Sequence, residues 1–234
     1  MTRSALGALC ATVSLALLSS PVQAAPRSVG PAAFGTALLA TSTTPYDARW
    51  NRAQSQGLGA GARIASSARG LHGLERLRAV NVAVNRAIKY REDSSNWGKG
   101  DYWATAAETF GRRAGDCEDY AIAKMQVLRA AGVPASDMFL VVGNDLVARS
   151  AHAMLLVRSG DIYWVLDNFH DEVRRDTDYR EFRPIMTLSS AGRWLHGYAA
   201  GTLAASAAGP RPRAASSALP SGSLAAVVAS QGAR

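Results

Sequence analysis

Cysteine is nearly absent from this 234-residue chain, which contains only Cys10 and Cys117. Cys10 lies within residues 1–25, which have the form of a secretory signal peptide: Arg3, an apolar stretch, and small residues at Val22-Gln23-Ala24. Removal of this segment leaves Cys117 alone, so the mature chain cannot form an internal disulfide. We therefore expect a periplasmic or otherwise exported protein whose single thiol is either buried and inert or kept for chemistry.

Lysine is also scarce, and it occurs only at Lys89, Lys99 and Lys124, so arginine supplies nearly all of the basic charge behind a net charge of +8. The chain has no run of five basic residues, and its aromatic residues do not alternate with basic ones. These absences argue against a nucleic-acid partner and favour a solvated basic surface. The N-terminal apolar stretch is too short, and too interrupted by Ser and Thr, to span a bilayer as a permanent anchor.

The two ends of the chain differ in composition from its middle. Residues 26–45 are rich in Ala, Pro, Ser, Thr and Gly, which is typical of a linker. Residues 199–234 contain no acidic or aromatic side chain and lack enough branched residues to form a core, which predicts a disordered tail. One folded domain is therefore expected over residues 46–198.

Helical signals dominate the first half of this domain. Apolar residues recur at three- and four-residue spacing over positions 74–88, and residues 105–108 have the form of a capping box. Asp116 then suits an N-cap, and Gly132 suits the left-handed position after a helix. The pattern predicts a helix from about residue 117 to 131 with Cys117 in its first turn.

Strand signals dominate the second half. Three segments are predicted to be strands, residues 138–143, 152–158 and 162–168, and the last two flank Ser159-Gly160, a candidate two-residue hairpin turn. Helices followed by antiparallel strands indicate an α+β fold.

The expected hairpin register places two polar residues together. If Ser159 and Gly160 form the turn, His152 lies directly opposite Asp167, with Cβ atoms about 5 Å apart. A carboxylate beside an imidazole fixes its tautomer and stabilises the imidazolium, which is the third role in a nucleophilic triad. A pair that only stabilises the sheet is the alternative interpretation.

A thiol at a helix N-terminus completes this constellation. The helix dipole and a neighbouring imidazole both lower a thiol pKa, and the thiolate is the reactive form. We therefore predict Cys117 as nucleophile, His152 as base and Asp167 as orienting acid. The remaining histidines are expected to be structural or on the surface; they are His72, His170 and His196.

Acidic residues surround the predicted nucleophile. Asp116, Glu118 and Asp119 offer the oxygen ligands that hard cations such as calcium prefer. Helix capping explains Asp116 and Asp119 without a metal, and on spacing alone capping is the better interpretation. A zinc site is disfavoured, because the Cys and His residues lack the usual close ligand pairs.

The sequence from Gly115 to Lys124, GDCEDYAIAK, resembles that of the bacterial transglutaminase-like cysteine peptidases, a family that includes periplasmic adhesin-releasing proteases of the LapG type. Further matching stretches are Val80–Asn85, Asp101–Thr105, His152-Ala153 and Val165–Asn168. The resemblance covers about residues 46–198. It implies a papain/transglutaminase-like core, in which the nucleophile helix packs on an antiparallel sheet and a Cys-His-Asp triad cleaves protein.

The same resemblance implies more about context. It implies that Asp116 and Glu118 bind calcium and that no organic cofactor is needed. It also implies a protein substrate, such as a cell-surface adhesin involved in biofilm formation, and an inner-membrane receptor that senses cyclic-di-GMP. Three alternatives stay open: a transglutaminase-type acyl transferase, a peptidase acting on peptidoglycan, and a non-catalytic periplasmic binding protein with a vestigial triad.

Overall fold

A computed structural model describes residues 30–54 and 57–198 of the chain. The predicted signal peptide (1–25) and the predicted tail (199–234) lie outside the described residues. Within the described ranges, no helix has the length and apolar character that a membrane crossing requires.

Helices make up most of the first half of the described chain, as the sequence indicates. The capping box at residues 105–108 is present, with Thr105 and Glu108 exchanging hydrogen bonds. The helices are α1 Asp47–Ala53, α2 Gly61–Ala68, α3 Gly73–Ala87, α4 Asp93–Asn96, α5 Ala106–Arg112 and α6 Cys117–Ala130.

A seven-stranded sheet, antiparallel throughout, forms the second layer, with strand order β1-β9-β8-β4-β5-β6-β7. A separate parallel pair joins β2 to β3, and β3 lies immediately before α6 in sequence. The strands are β1 Ala37–Thr41, β2 Lys89–Tyr90, β3 Ala114–Gly115, β4 Met138–Asp145, β5 Ser150–Ser159, β6 Ile162–Leu166, β7 Arg174–Arg175, β8 Phe182–Leu188 and β9 Arg193–Gly197. Helices packed on an antiparallel sheet confirm the predicted α+β class.

Both faces of the sheet are covered. On β5, Ala153, Leu155 and Val157 belong to the larger core, which lies under the helices. Met154 and Leu156 belong to a smaller core on the other face. This alternation is the two-residue period of a strand that is buried on both sides.

Helix α6 is the central helix, because every residue from Cys117 to Leu128 is buried. Gly132 takes a positive φ of 98° after the helix, as its position in the sequence predicts. At the other end the prediction was wrong for one residue. Asp116 occupies the N-cap position, but its side chain makes no capping hydrogen bond. The Asp119 carboxylate bonds to the backbone of Asp116, as a capping residue would, and also accepts from the backbone N–H of Ala104 at 2.7 Å.

The predicted linker over residues 26–45 was also wrong for its second half. Ala37–Thr41 forms β1, which pairs along its length with β9, and Ala33 is buried in the smaller core. The folded unit therefore begins before residue 46. The strand that stabilises β1 lies near the far end of the domain, so local composition could not reveal the pairing.

The hairpin turn lies one residue later than predicted. Gly160 and Asp161 form the turn, and Ser159 pairs with Ile162. Gly160 has a φ of 62°, which fits a turn of type II′ with glycine at its first central position. The register therefore differs by two residues from the expected one. A shift of two keeps each side chain on its predicted face, so His152 and Asp167 become diagonal neighbours.

Candidate active site

Cys117 lies where α6 meets the sheet. The short pair of β2 with β3 fixes the chain just before it, since Tyr90 pairs with Gly115. A backbone hydrogen bond from Ala153, the residue after His152, reaches the Cys117 sulfur and acts to lower the thiol pKa. The fold thus brings the predicted nucleophile next to the strand that carries the predicted base.

His152 and Asp167 form a buried pair. The Nε2 atom of His152 lies 2.9 Å from Oδ1 of Asp167, and each residue is 3% exposed. The Phe169 ring stacks on the imidazole, with ring centres 4.6 Å apart and planes within 7°. The imidazole is therefore positioned at its edge by a carboxylate and on its face by an aromatic ring.

Hydrogen bonding also determines the tautomer of His152 and the charge of Asp167. A carboxylate accepts, so the proton of a neutral His152 ring resides on Nε2 and Nδ1 is left as the basic atom. Burial on its own raises the pKa of Asp167, but the hydrogen bond and charge of His152, the Phe169 N–H and the ammonium of Lys124 lower the pKa below its usual value. Asp167 is thus an anion suited to stabilising an imidazolium.

The thiol itself makes a different contact. Cys117 Sγ donates to Oε2 of Glu118 at 3.2 Å. Burial raises the pKa of the thiol well above its usual value, and the charges of Glu118 and Asp116 raise the pKa further. With these carboxylates uncompensated, Cys117 is a neutral thiol.

Five acidic side chains gather beside the nucleophile. Two groups have carboxylate oxygens that all lie within 4.8 Å of one another, and Asp93 is common to both. The first group adds Asp116 and Asp119, and the second adds Asp101 and Glu118. The structure therefore brings the two sequence-predicted calcium ligands, Asp116 and Glu118, into one acidic cluster.

Several carboxylate oxygens of this cluster accept no hydrogen bond from the described part of the protein. Within the described residues, Oδ1 of Asp93, Oδ1 of Asp116 and Oδ2 of Asp119 are buried without a hydrogen-bond donor. Burial, followed by repulsion between neighbouring carboxylates, raises the pKa of Asp116 to about 10. For the same reasons the pKa of Glu118 rises to about 8. Buried, mutually repelling oxygens of this kind fit a hard divalent cation.

Sequence reasoning missed Asp93 and Asp101 as members of the cluster. Asp93 begins α4, more than twenty residues before Cys117, and no local pattern links the two positions. The sequence did contain one indication of Asp101, because the family-like segment Asp101–Thr105 begins with this acidic residue.

A cleft of about 530 Å³ borders the His152–Asp167 pair. Its rim carries two exposed apolar side chains, Val147 at 67% and Phe169 at 53% exposure. The cleft thus gives solvent access to the buried pair, next to apolar surface that an extended chain could contact.

The family model for bacterial transglutaminase-like cysteine proteinases matches residues 52–196. The chain belongs to this family. It is therefore a cysteine peptidase, with the mixed helix and antiparallel-sheet fold that the sequence predicted. Comparison with curated protein sequences gives no match.

Solved structures of other proteins have a similar fold. The calcium-bound LapG of Legionella pneumophila shares 22% identity and a TM-score of 0.53, over 70% of this chain and 98% of that one. A second structure of Legionella pneumophila LapG shares 23% identity and a TM-score of 0.51, over 65% of this chain and 88% of that one. A structure of EGTA-treated Legionella pneumophila LapG shares 22% identity and a TM-score of 0.51, over 67% of this chain and 91% of that one. At this level of identity the likeness shows the fold.

Proposed function

We propose that this protein is an exported cysteine endopeptidase in which Cys117, His152 and Asp167 form the catalytic triad. Two observations together carry the proposal: the buried His152–Asp167 hydrogen bond of 2.9 Å, and the hydrogen bond from the backbone of Ala153, the residue after His152, to the Cys117 sulfur. The family supports thiol chemistry, and Cys117 is the free cysteine of the described chain.

The roles follow from the chemistry of each group. The Cys117 sulfur attacks the carbonyl carbon of a peptide bond, and its proton passes to Nδ1 of His152. The imidazolium then protonates the leaving amine, so the C–N bond breaks and a thioester remains. His152 next takes a proton from water, whose oxygen attacks the thioester, and the thiol is regenerated. Asp167 stabilises the imidazolium throughout.

Calcium is the metal that we propose for the acidic cluster. The fit rests on the unpaired buried oxygens of Asp93, Asp116 and Asp119 and on the proximity of Asp101 and Glu118. When bound, a divalent cation would supply positive charge that compensates these carboxylates. The calcium-bound structure among the similar LapG folds supports this choice of ion.

The proposed substrate is a protein on the cell surface, such as an adhesin, and the proposed regulator is an inner-membrane receptor for cyclic-di-GMP. Both proposals rest on the resemblance to LapG-type proteases. An open cleft with apolar residues on its rim borders the proposed base and acid, His152 and Asp167.

Terminal labelling tests the function without requiring an identified substrate. Envelope proteins from the source cells are incubated with calcium and either the mature protein or Cys117→Ser, and new N-termini are identified by mass spectrometry. We expect termini that appear with the wild type and are absent with Cys117→Ser, with His152→Ala reducing their formation by about 10²-fold or more. Equal sets of termini from all three proteins would contradict the proposal.

The same incubation separates the rival functions. A labelled primary amine is added, because an acyl transferase would attach it to glutamine side chains through the same thioester. Amine incorporation without new termini would favour the transferase. Release of soluble peptides from purified sacculi would favour a peptidase acting on peptidoglycan.

A further inference from the structure

The loop that supplies Asp167 has little support from its own surroundings. Residues 167–171 follow the end of β6 and form no regular structure. Clefts of about 530 and 670 Å³ border the loop, and Phe169 and His170 line both. Carbonyl groups in such a loop have no strand partner, so other donors must fix them.

Two asparagines of α3 provide those donors. Nδ2 of Asn81 donates to the carbonyl oxygens of His170 at 2.8 Å and of Asp171 at 3.0 Å. Nδ2 of Asn85 reaches the carbonyl oxygen of Asp167 at 3.1 Å, that of His170 at 3.1 Å and Oδ1 of Asp171 at 3.2 Å. Because every partner is an acceptor oxygen, the network itself assigns the orientation of both amides.

Asn81 occupies a position where the helix pattern calls for an apolar residue. Asn81 is completely buried and lies in the stripe formed by Leu77, Val84 and Ile88. Asn85 lies one turn later on the same side of the helix, is only partly buried and borders the cleft of about 670 Å³. A buried amide costs free energy unless it is hydrogen-bonded, so at position 81 an apolar side chain would suit the core better than asparagine. Both amides donate hydrogen bonds to loop carbonyl groups, which apolar side chains could not do.

The loop in turn contacts His152 at two points. Oδ1 of Asp167 accepts from Nε2 of His152 and from the Phe169 N–H, at 2.9 and 3.1 Å. The Phe169 ring covers the imidazole face. A displacement of the loop would therefore move both the carboxylate and the ring relative to His152.

We propose that Asn85, assisted by Asn81, is a positioning residue that fixes the 167–171 loop and thereby aligns Asp167 and Phe169 on His152. This inference deepens the proposed function and rests on it. The 80–85 segment of the sequence motif thus acquires a role: it connects α3 to the acid of the triad across the core.

The experiment compares Asn85→Leu with Asp167→Ala and with Arg78→Ala, an exposed position on the same helix. The first readout is the downfield proton resonance of the His152 Nε2–H, which reports its hydrogen bond to Asp167 and needs no substrate. The second is the separation of kcat from KM on a peptide spanning a bond whose cleavage requires Cys117.

We expect Asn85→Leu to lose or markedly shift the downfield resonance and to lower kcat about 10- to 100-fold with little change in KM, since small misplacements of catalytic groups have effects of this size. Arg78→Ala should retain both. If Asp167→Ala removes the resonance and activity while Asn85→Leu keeps them, the positioning role is overturned and the triad stands. If Asp167→Ala leaves kcat unchanged, the triad itself fails.

A second variant guards against misfolding of the first. Asn85→Ser stays polar but is too short to reach the carbonyl of Asp167, and it leaves room for water. It must show the same loss of the resonance and of kcat while its circular dichroism matches the wild type. Wild-type behaviour in Asn85→Ser would contradict the proposal.

Discussion

Cys117 donates its thiol hydrogen bond to Glu118, the residue next to it in the chain. The same carboxylate belongs to the acidic cluster that fits calcium. Glu118 therefore belongs to the proposed metal site and also accepts the hydrogen bond of the nucleophile. This relationship makes the metal response of the protein the first property to measure.

Calcium is expected to stabilise the fold. At a concentration 100 times its Kd, a ligand that binds only the folded state adds about 2.7 kcal/mol, which corresponds to a rise in Tm of about 5 to 10 °C for a domain of this size. Asp116→Asn should remove most of this rise, because it deletes one charge from the cluster. Differential scanning fluorimetry with calcium and with a chelator measures the difference.

The matched control is Asp161→Asn, an exposed carboxylate in the hairpin turn that should keep the full calcium response. Magnesium provides a second comparison, since it demands tighter octahedral geometry and dehydrates reluctantly. Equal shifts for Asp116→Asn and Asp161→Asn would rule out the cluster as the calcium site.

Two substitutions at Asp167 should differ in severity. The Phe169 N–H donates to Oδ1 of Asp167, so in Asp167→Asn it should select the amide oxygen for that position. That oxygen can still accept from Nε2 of His152, so we expect a loss in kcat of about tenfold. Asp167→Ala removes the acceptor and should cost at least about 10²-fold. Steady-state assays of the two variants check this. Equal losses in kcat would show that the hydrogen-bond geometry that asparagine keeps is not what Asp167 contributes.

Lys124 should make stability depend on pH. It is fully buried, and burial lowers its pKa from 10.5 to about 7 despite the charges of Asp167 and Asp171. Between these two pH values the folded chain binds fewer protons than the unfolded chain. Stability should therefore rise with pH across this range, by at most about 1.4 kcal/mol per pH unit.

Urea unfolding between pH 7 and 9 of the wild type and Lys124→Met checks this expectation, because methionine cannot titrate. Lys89→Met, at an exposed position, should keep the wild-type slope. Parallel pH profiles for the wild type and Lys124→Met would mean that Lys124 keeps its ordinary pKa in the fold.

Gly143 is the position where the sheet tolerates a side chain least. It pairs with His152, and a Cβ there would contact the Arg183 carbonyl and lie 2.7 Å from Phe182. Gly143→Ala should lower the free energy of unfolding by about 1 to 3 kcal/mol. Gly111→Ala, in α5 with open space around it, should be neutral or stabilising by up to about 1 kcal/mol. Chemical denaturation compares the two, and a harmless Gly143→Ala would contradict the packing argument.

Local signals gave the sequence analysis its successes. The capping box at Thr105, the start of α6 at Cys117 and the left-handed Gly132 all depend on residues within a few positions, and the structure has each of them. The His152–Asp167 pair was found through a turn placed one residue too early. The predicted pair is nevertheless present, because an error of two residues in the register leaves each side chain on the same face of the sheet.

Long-range contacts account for what was missed. The pairing of β1, the approach of Asp93 to the acids around Cys117 and the bonds from Asn85 to the loop at 167–171 all join distant parts of the chain. Asp116 suited an N-cap by residue type, yet its side chain lies among other carboxylates instead. No periodicity in one sequence carries this information.

The pairing of β1 with β9 has a consequence for the order of folding. Thr36 and His196, which are hydrogen-bonded where these strands meet, are 160 positions apart. Closing so long a loop is entropically costly and typically slow. Since β1 pairs with no other strand in the described ranges, it can join the sheet only through β9. We therefore expect residues 37–41, the first strand of the described chain, to join the sheet late in folding.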